Sequence, residues 1–153
     1  MEKIASFTID HLTLKPGLYV SRKDVKDDVV VTTFDLRIIS PNVEPVIDNG
    51  SLHTIEHLGA TFLRNSERKD DIVYFGPMGC RTGCYLVMFG DLDSEDIYSF
   101  IIDMCEFVLE YEGQVPGASA KECGNYLEQD LPMAKYYLQK YKKELETHRR
   151  FKY

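Results

Sequence analysis

The sequence lacks several features that whole classes of protein require. It contains no tryptophan, and its apolar runs are too short and too interrupted for any segment to span a bilayer. The net charge is −7, and the one basic cluster is the tail HRRFKY, so nothing offers the field that would attract nucleic acid or an anionic membrane. The start, MEKIASFTIDHL, has no apolar core of a secretory signal. We therefore expect a cytoplasmic protein that binds neither nucleic acid nor a membrane.

Cysteine and histidine are both scarce, with four residues of each type. The cysteines fall at positions 80, 84, 105 and 123. In a reducing compartment an even number of cysteines is no evidence for disulfides, so metal binding, catalysis and burial are the alternatives for each one. The length of 153 residues fits one domain, residues 1–153, with a core of its own.

One segment predicts a strand with two chemically different faces. Residues 28–39 are rich in β-branched side chains. Because side chains alternate along a strand, the two faces carry Phe34, Leu36 and Ile38 on one side and Thr33, Asp35 and Arg37 on the other. A charged pair on an otherwise apolar strand faces either solvent or a site.

The remaining pattern predicts an α+β fold, with a largely antiparallel sheet and helices packed on one of its faces. Apolar spacing predicts helices over about 51–65, from 94 to about 111, and over about 130–146. Short strands are expected at 72–75 and 84–89. Cys105 falls near the buried stripe of the second helix and reads as a core residue. The segment SAKE (119–122) matches a capping box, but CGN follows at once and excludes a long helix there.

The segment SLHTIEHLGA (51–60) carries the first candidate chemistry. Residues four apart stack on one face of a helix, so His53 and His57 are able to place two imidazoles on one metal ion. Glu56 projects from the flank of this pair, as a general acid or base beside a metal should. The alternative is a polar solvent-facing helix with two uninvolved histidines.

A third ligand is needed, and Cys123 is a plausible one, better placed than His148. It precedes a glycine at a break between helix and turn, and a His, His, Cys set leaves the fourth tetrahedral position open for catalysis. His11, His148, the other cysteines and many carboxylates are further candidates, although His148 lies in the basic tail and is expected to be solvated. The alternative for Cys123 is a buried turn cysteine.

A glycine-flanked turn, PMGCRTG (77–83), presents a second reactive group. Cys80 is expected to project from it, and either Arg81 or Arg37 would favour its thiolate. Such a thiolate near a metal is a candidate acid–base group; the alternative is a loop thiol without a task. Cys84, at the start of an alternating strand, is expected to be packed.

Taken together, these segments resemble one family, LuxS, the S-ribosylhomocysteine lyases. The matching segments are SFTIDH (6–11), FDLRIISPN (34–42), LHTIEHL (52–58), GPMGCRTG (76–83), PGAS–KECGNY (116–126) and DLPMAK (130–135). They span nearly the whole chain, and HxxEH joined with PMGCRTG and CGNY is very specific. The chain departs from the family pattern at Cys84, where an aromatic residue is expected, and at Tyr74, where an aspartate is expected.

The resemblance implies both a reaction and a site. The family cleaves S-ribosylhomocysteine to homocysteine and 4,5-dihydroxy-2,3-pentanedione, the precursor of the quorum-sensing signal autoinducer-2, in homodimers with active sites at the subunit interface. It implies one Fe²⁺ per subunit, replaceable by Zn²⁺ or Co²⁺, with His53, His57 and Cys123 as ligands. Glu56 and Cys80 would be the catalytic acid–base groups. The implied substrate-binding residues are Ser6, His11 and Arg37.

Two other classes of protein share part of the pattern. H-x-x-E-H is also the signature of the inverzincin metallopeptidases, in which the glutamate activates a zinc-bound water. Those chains are usually much larger and add a distal glutamate ligand, and Cys123 would have no explanation there. A structural zinc module would need a fourth protein ligand, whereas three suitable groups stand out.

Overall fold

The computed structural model describes residue 4 and residues 7–153. Its elements, in chain order, are β1 (Gly17–Lys26), β2 (Val29–Arg37), α1 (Asn49–Arg64), β3 (Ile72–Pro77), β4 (Gly83–Phe89), α2 (Ser94–Glu110) and α3 (Leu131–His148). A single 3-10 turn, Lys69–Asp71, precedes β3. The predicted α+β class is confirmed, and each predicted helix and strand is present with bounds shifted by only a few residues.

The four strands form one antiparallel sheet in the order β1-β2-β4-β3. β2 and β4 are therefore the central strands, and Leu36 lies opposite Leu18 on one side and Cys84 on the other. These three residues are fully buried, together with Phe34 and Leu86. The face of β2 that the alternation predicted to be apolar is the face that meets the helices.

The helices cover this apolar face of the sheet and pack against one another. α1 buries Ile55 and Leu58, and α3 buries Leu138 and Tyr141. Cys105 of α2 is fully buried in the same core, as its position in the sequence predicted. Among the residues that the structure describes, we find no helix with the length and apolar character needed to cross a membrane.

Side-chain caps set the first residues of α1 and α3. The carboxylate of Asp48 accepts a hydrogen bond from Ser51 N, and that of Asp130 accepts one from Met133 N. These bonds satisfy backbone donors that a helix start leaves free. Pro132 lies in the first turn of α3, where its missing N–H costs nothing.

The second face of the sheet is polar at its centre. Thr33, Asp35 and Arg37 point to this side, opposite Val87, Tyr85 and Gly83 of β4. Asp35 and Arg37 are nevertheless only 1% and 2% exposed. Of the two alternatives that the sequence left for this charged pair, solvent or a site, the structure excludes bulk solvent.

Strand β1 was not anticipated from the sequence. Its first half is buried and its second half, from Arg22 to Lys26, is exposed. A register shift between Val20 and Arg22 breaks the pairing with β2. The bulge interrupts the alternation of side chains, and the exposed half carries charged residues, so the strand shows no continuous pattern of apolar positions.

Candidate metal centre and active site

His53 and His57 project from the same face of α1, one helical turn apart. Their ring centroids are 4.5 Å apart and the rings are nearly perpendicular, at 87°. Both residues are half-buried. The helix places the two imidazoles together, as the spacing of four predicted.

A backbone carbonyl orients each imidazole through its Nδ1 atom. His53 Nδ1 lies 2.9 Å from the carbonyl oxygen of Glu128, and His57 Nδ1 lies 2.7 Å from that of Pro116. A carbonyl oxygen accepts but cannot donate, so these contacts favour the tautomer with the proton on Nδ1, although Gln129 Nε2 also lies 3.1 Å from His53 Nδ1. The Nε2 lone pairs are then free to bind a metal, which is the usual arrangement around protein-bound metals.

The loop that follows α2 brings Cys123 to the two histidines. Its Sγ atom lies 3.4 Å from His53 Nε2, and the ligand atoms of the three residues all lie within 4.8 Å of one another. The backbone N–H of Asn125 donates to the same sulfur over 3.4 Å. Two imidazoles and one thiolate form a chemically suitable donor set for a divalent transition metal.

Hydrogen bonds fix this loop against α1. Thr54 Oγ1 donates to Gln129 Oε1 over 2.8 Å and accepts from Asp130 N over 2.9 Å. Thr54 belongs to the helical turn that carries His53. The segment from Cys123 to Asp130 is thus tied directly to the element that supplies the two histidines.

Gly117 allows the loop to approach His57 closely. Its φ angle is +72°, and a Cβ atom at this position would lie 3.2 Å from His57 Nδ1. Left-handed backbone is costly for residues other than glycine. The position therefore needs glycine both for its conformation and for the space beside the imidazole.

Glu56 lies on the flank of the histidine pair and is half-buried. Its carboxylate has no hydrogen-bond partner among residues 7–153. Burial raises the pKa of Cys84, and the nearby Glu56 carboxylate raises it further. Glu56 is therefore close enough to Cys84, near the start of β4, for its charge to act on that thiol.

Cys80 is exposed, as predicted for its turn between β3 and β4. Its Sγ atom lies 3.1 Å from Thr82 Oγ1 and 3.9 Å from Arg37 Nη1. Of the two cations considered, it is therefore Arg37 that contacts this sulfur. Arg81 instead adopts a φ angle of +57° and points to Asn49 at the start of α1, with its Nη1 atom 3.4 Å from Asn49 Oδ1.

The Cys80 turn (77–83) is also joined to α1 through the backbone. Ile47 N donates to the carbonyl oxygen of Arg81 over 3.0 Å, one residue before the Asp48 cap. Cys84, after the turn, is fully buried, as expected. The turn therefore carries one accessible thiol, a buried thiol follows directly after it, and the turn is anchored at the beginning of the helix that carries the histidines.

Arg37 is buried and paired with Asp35. Its Nη2 atom lies 2.6 Å from Asp35 Oδ2, and the two side chains are 3% and 1% exposed. Burial alone would lower the pKa of Arg37, but Asp35 outweighs it and the pKa lies above the usual value. The guanidinium therefore carries a fixed positive charge next to Cys80.

The other residues singled out in the sequence lie elsewhere or remain untested. His11 is half-buried and its Nδ1 lies 2.9 Å from the carbonyl oxygen of Ile9. Ser6 lies outside the described residues. His148 ends α3 with its Nε2 3.8 Å from Glu144, and its side chain is 44% exposed, which agrees with the expected solvation. The substrate contacts predicted for Ser6, His11 and Arg37 stay predictions.

Sequence reasoning missed Thr82 and Tyr153. Thr82 accepts a hydrogen bond from Arg37 Nη1 over 2.5 Å and contacts Cys80. The phenol of Tyr153 donates to Asp35 Oδ2 over 2.9 Å. The sequence offered one sign of the role of Thr82, because it lies in the same turn as Cys80. It offered no sign for Tyr153, a tyrosine in the basic tail.

Comparison with known proteins yields one consistent match. The sequence profile of the S-ribosylhomocysteinase (LuxS) family matches residues 4–151. Proteins named S-ribosylhomocysteine lyase from Clostridium acetobutylicum and Finegoldia magna are 59% and 58% identical, each over 92% of this chain and 90% of their own length. One with the same name from Phocaeicola vulgatus is 56% identical over 97% of this chain and 92% of its own.

Proposed function

Because this chain belongs to the S-ribosylhomocysteinase (LuxS) family, we propose that it cleaves S-ribosylhomocysteine to homocysteine and 4,5-dihydroxy-2,3-pentanedione, the precursor of autoinducer-2. The observation that carries this proposal is the convergence of His53, His57 and Cys123 to within 4.8 Å. Glu56 flanks the three, and the Cys80 turn is anchored to the same helix. Neither a metallopeptidase nor a structural zinc site accounts for an unligated thiol held by a buried arginine.

The metal in this proposal is Fe²⁺, with Zn²⁺ or Co²⁺ able to replace it, and its ligands are His53, His57 and Cys123. Support comes from the donor set and from the two carbonyl-bound Nδ1 atoms, which leave both Nε2 atoms free. When bound, such a cation acts as a Lewis acid that polarises the oxygens of the sugar. With three protein ligands, one tetrahedral position stays open for substrate or water.

The overall reaction needs proton transfers but no net oxidation. The aldehyde of the ribose must move two carbons along the chain, which takes two shifts of a proton between neighbouring carbons. The carbonyl then activates the C4 proton, and its removal breaks the C5–S bond and expels homocysteine, whose thiolate takes up a proton. The remaining enol becomes the dione. All atoms of the substrate appear in the two products.

Glu56 and Cys80 are the proposed acid–base groups for these transfers. Protons leave and return on different carbons, so two groups on different elements are useful. Glu56 is supported by its free carboxylate on the flank of the ligand helix, and Cys80 by the contact with Arg37 over 3.9 Å. Both functional thiols suit a reducing compartment, and we place the protein in the cytoplasm on that ground.

The proposed assembly is a homodimer with its active sites at the interface. Support comes from the open face of the sheet, where Tyr74 and Phe89 are 50% and 48% exposed. A cavity of about 260 Å³ opens on the same face and is lined by Thr33, Tyr85 and Val87 among others. Exposed apolar surface of this kind is typical of protein interfaces.

Subunit complementation tests both the dimer and the predicted contacts of Ser6 and His11. If His11 serves the site of the partner subunit, mixing inactive Cys80→Ala and His11→Ala proteins under subunit exchange should restore part of the activity. A mixture as inactive as its components, together with a monomeric mass in light scattering, would refute the shared site.

The activity itself is tested by incubating the anaerobically purified, iron-loaded protein with S-ribosylhomocysteine and measuring homocysteine with a thiol-reactive dye. Glu56→Gln protein, loaded with the same metal, is the matched control. We expect thiol release from the wild type alone. Absence of release from the wild type, or cleavage of a peptide substrate, would reject the proposed reaction.

A further inference from the structure

A continuous series of polar contacts leads from Tyr153 to the sulfur of Cys80. The Tyr153 hydroxyl donates to Asp35 Oδ2 over 2.9 Å. The same oxygen accepts from Arg37 Nη2 over 2.6 Å. The other terminal nitrogen of Arg37, Nη1, contacts Thr82 Oγ1 and Cys80 Sγ. One oxygen of Asp35 therefore joins the Tyr153 phenol to the Arg37 guanidinium, which in turn contacts the Cys80 turn.

The ring of Tyr153 is held in place by Tyr19. The two rings stack with centroids 4.6 Å apart and an interplanar angle of 18°. Tyr19 is itself only 2% exposed, and its hydroxyl donates to the carbonyl oxygen of Lys15 over 2.9 Å. Tyr19 is thus a fixed platform, and stacking on it aims the Tyr153 hydroxyl at Asp35.

Tyr153 stays a hydrogen-bond donor over the whole working range of pH. Tyr153 is 49% exposed, but the burial of the rest of the side chain raises its pKa, and the Asp35 carboxylate raises it further. The phenol therefore remains protonated and supplies an O–H to the carboxylate. A phenylalanine at this position would keep the stacked ring and lose the hydroxyl, which also makes a hydrogen bond with Ser21.

Asp35 depends on the few donors that reach it. Burial raises the pKa of this carboxyl, while Arg37 and then Tyr153 act against that rise. Its second oxygen, Oδ1, has no hydrogen-bond partner among the described residues, and neither has Nε of Arg37. The orientation of the guanidinium therefore depends on the contacts of its two terminal nitrogens. Nη2 contacts Asp35 Oδ2, and Nη1 contacts Thr82 and Cys80.

We propose that Tyr153, acting through Asp35, is a positioning residue that aims the Arg37 guanidinium at the Cys80 sulfur. Without the Tyr153 donor, Asp35 Oδ2 keeps only its contact with Arg37, and Nη1 of Arg37 is held less firmly beside the Cys80 sulfur. This inference rests on the acid–base role proposed above for Cys80. It adds Tyr153, which is neither a proposed metal ligand nor a proposed acid–base group.

Several further charged or titratable groups surround this network and share its electrostatics. They are His11, Tyr19, Arg22, Tyr85 and Arg150. None of them is altered in the test variants, so their influence is constant across the comparison.

The test compares Tyr153→Phe with the wild type in metal-loaded enzyme. We expect kcat to fall roughly threefold to tenfold with KM unchanged, the size of effect that loss of one ordinary hydrogen bond produces. The pH midpoint for alkylation of Cys80 by iodoacetamide, followed by mass spectrometry of its peptide, should shift upward. Tyr136→Phe, which changes a tyrosine 55% exposed on α3, should behave as the wild type in both measurements.

A double-mutant cycle with Arg37→Lys identifies the route of the effect. If Tyr153 acts through Arg37, adding Tyr153→Phe to Arg37→Lys should cost clearly less than it costs the wild type. Additive losses, an unchanged kcat, or an unshifted alkylation profile would each overturn the proposal. The activity of Cys80→Ala distinguishes a failure of this proposal from a failure of the role proposed for Cys80. Full activity of that variant would reject the role of Cys80, whatever the effect of Tyr153→Phe.

Discussion

The sulfur of Cys123 lies 3.4 Å from Nε2 of His53, although the two residues are 70 positions apart in the sequence. A loop that has no regular secondary structure brings them together. Thr54 of α1 holds that loop, because its hydroxyl donates to Gln129 Oε1 and accepts from Asp130 N. The geometry of the candidate metal centre therefore depends on how the loop docks onto α1 as much as on the helix itself.

Gly117→Ala should weaken metal binding. A methyl group there would lie 3.2 Å from His57 Nδ1, at a φ angle of +72°, and would disturb the carbonyl contact that orients the ring. We expect metal affinity to fall about 10-fold to 100-fold, as for other losses of ligand-orienting contacts. Titration against a chelating dye measures this.

Gly113→Ala is the matched control for that substitution. Its φ angle is +100°, so it carries a comparable backbone strain, but a Cβ atom there meets nothing within 4 Å. If Gly113→Ala weakens metal binding as much as Gly117→Ala, the effect is backbone strain and the proposed contact with His57 is not its cause.

Cys80→Ala and Glu56→Gln should both keep the metal and lose turnover. Each removes a proposed proton-transfer group and neither removes a proposed ligand, so we expect kcat to fall about 10²-fold to 10⁴-fold at full metal occupancy. Elemental analysis beside the homocysteine assay checks both quantities. Loss of metal from Cys80→Ala would make this cysteine a ligand and contradict the assignment.

The sequence could predict what is local about this site, and it could not predict what is distant. Helical spacing placed His53, His57 and Glu56 correctly because neighbours on a helix follow from the period alone. The alternation in β2 likewise separated Leu36 from Arg37. The position of Cys123 depends on loop docking, so from the residues alone a buried turn cysteine was an equal alternative, and the family resemblance favoured the ligand.

The contact between Asp35 and Tyr153 could not be predicted from the sequence for the same reason. The contact with Tyr153 spans 118 positions and joins a strand to a basic tail that has no periodic pattern. The exposed outer half of β1 and its bulge after Val20 also explain why this strand could not be predicted from the sequence. Tyr19, which stacks on Tyr153, belongs to β1. Contacts of this kind arise from the tertiary fold, and a single sequence carries no local signal for them.

Asp35→Ala should strongly destabilise the fold. It leaves the buried Arg37 guanidinium, 3% exposed, without its counterion, and breaking a buried pair in this way costs about 3–5 kcal/mol. Asp24→Ala is the control, because it breaks an ion pair with Arg22 whose side chains are 57% and 61% exposed and should cost less than about 1 kcal/mol. Denaturant unfolding measures both, and equal losses would show that the Asp35 pair contributes no more than a surface contact.

Cys105 should make stability depend on pH in the alkaline range. Burial raises the pKa of this thiol from 9.0 to about 12 in the folded protein, so the unfolded chain loses its proton first. The contribution of the group is fully present below pH 9 and is lost as pH rises toward 12, with a slope of about 1.4 kcal/mol per pH unit. The free energy of unfolding of Cys105→Ala should therefore fall less steeply than that of the wild type above pH 9; parallel curves would contradict the shift.

The most direct test of the metal centre is X-ray absorption on zinc-loaded protein. We predict one sulfur at about 2.3 Å and two imidazole nitrogens at about 2.0–2.1 Å, with one further light ligand that exchanges with solvent. In Cys123→Ala the sulfur should disappear and metal affinity should fall more than about 100-fold, beyond the loss seen for ligand-orienting residues. A wild-type spectrum without sulfur, or a Cys123→Ala protein that still binds zinc with full affinity, would contradict the assignment of the three ligands.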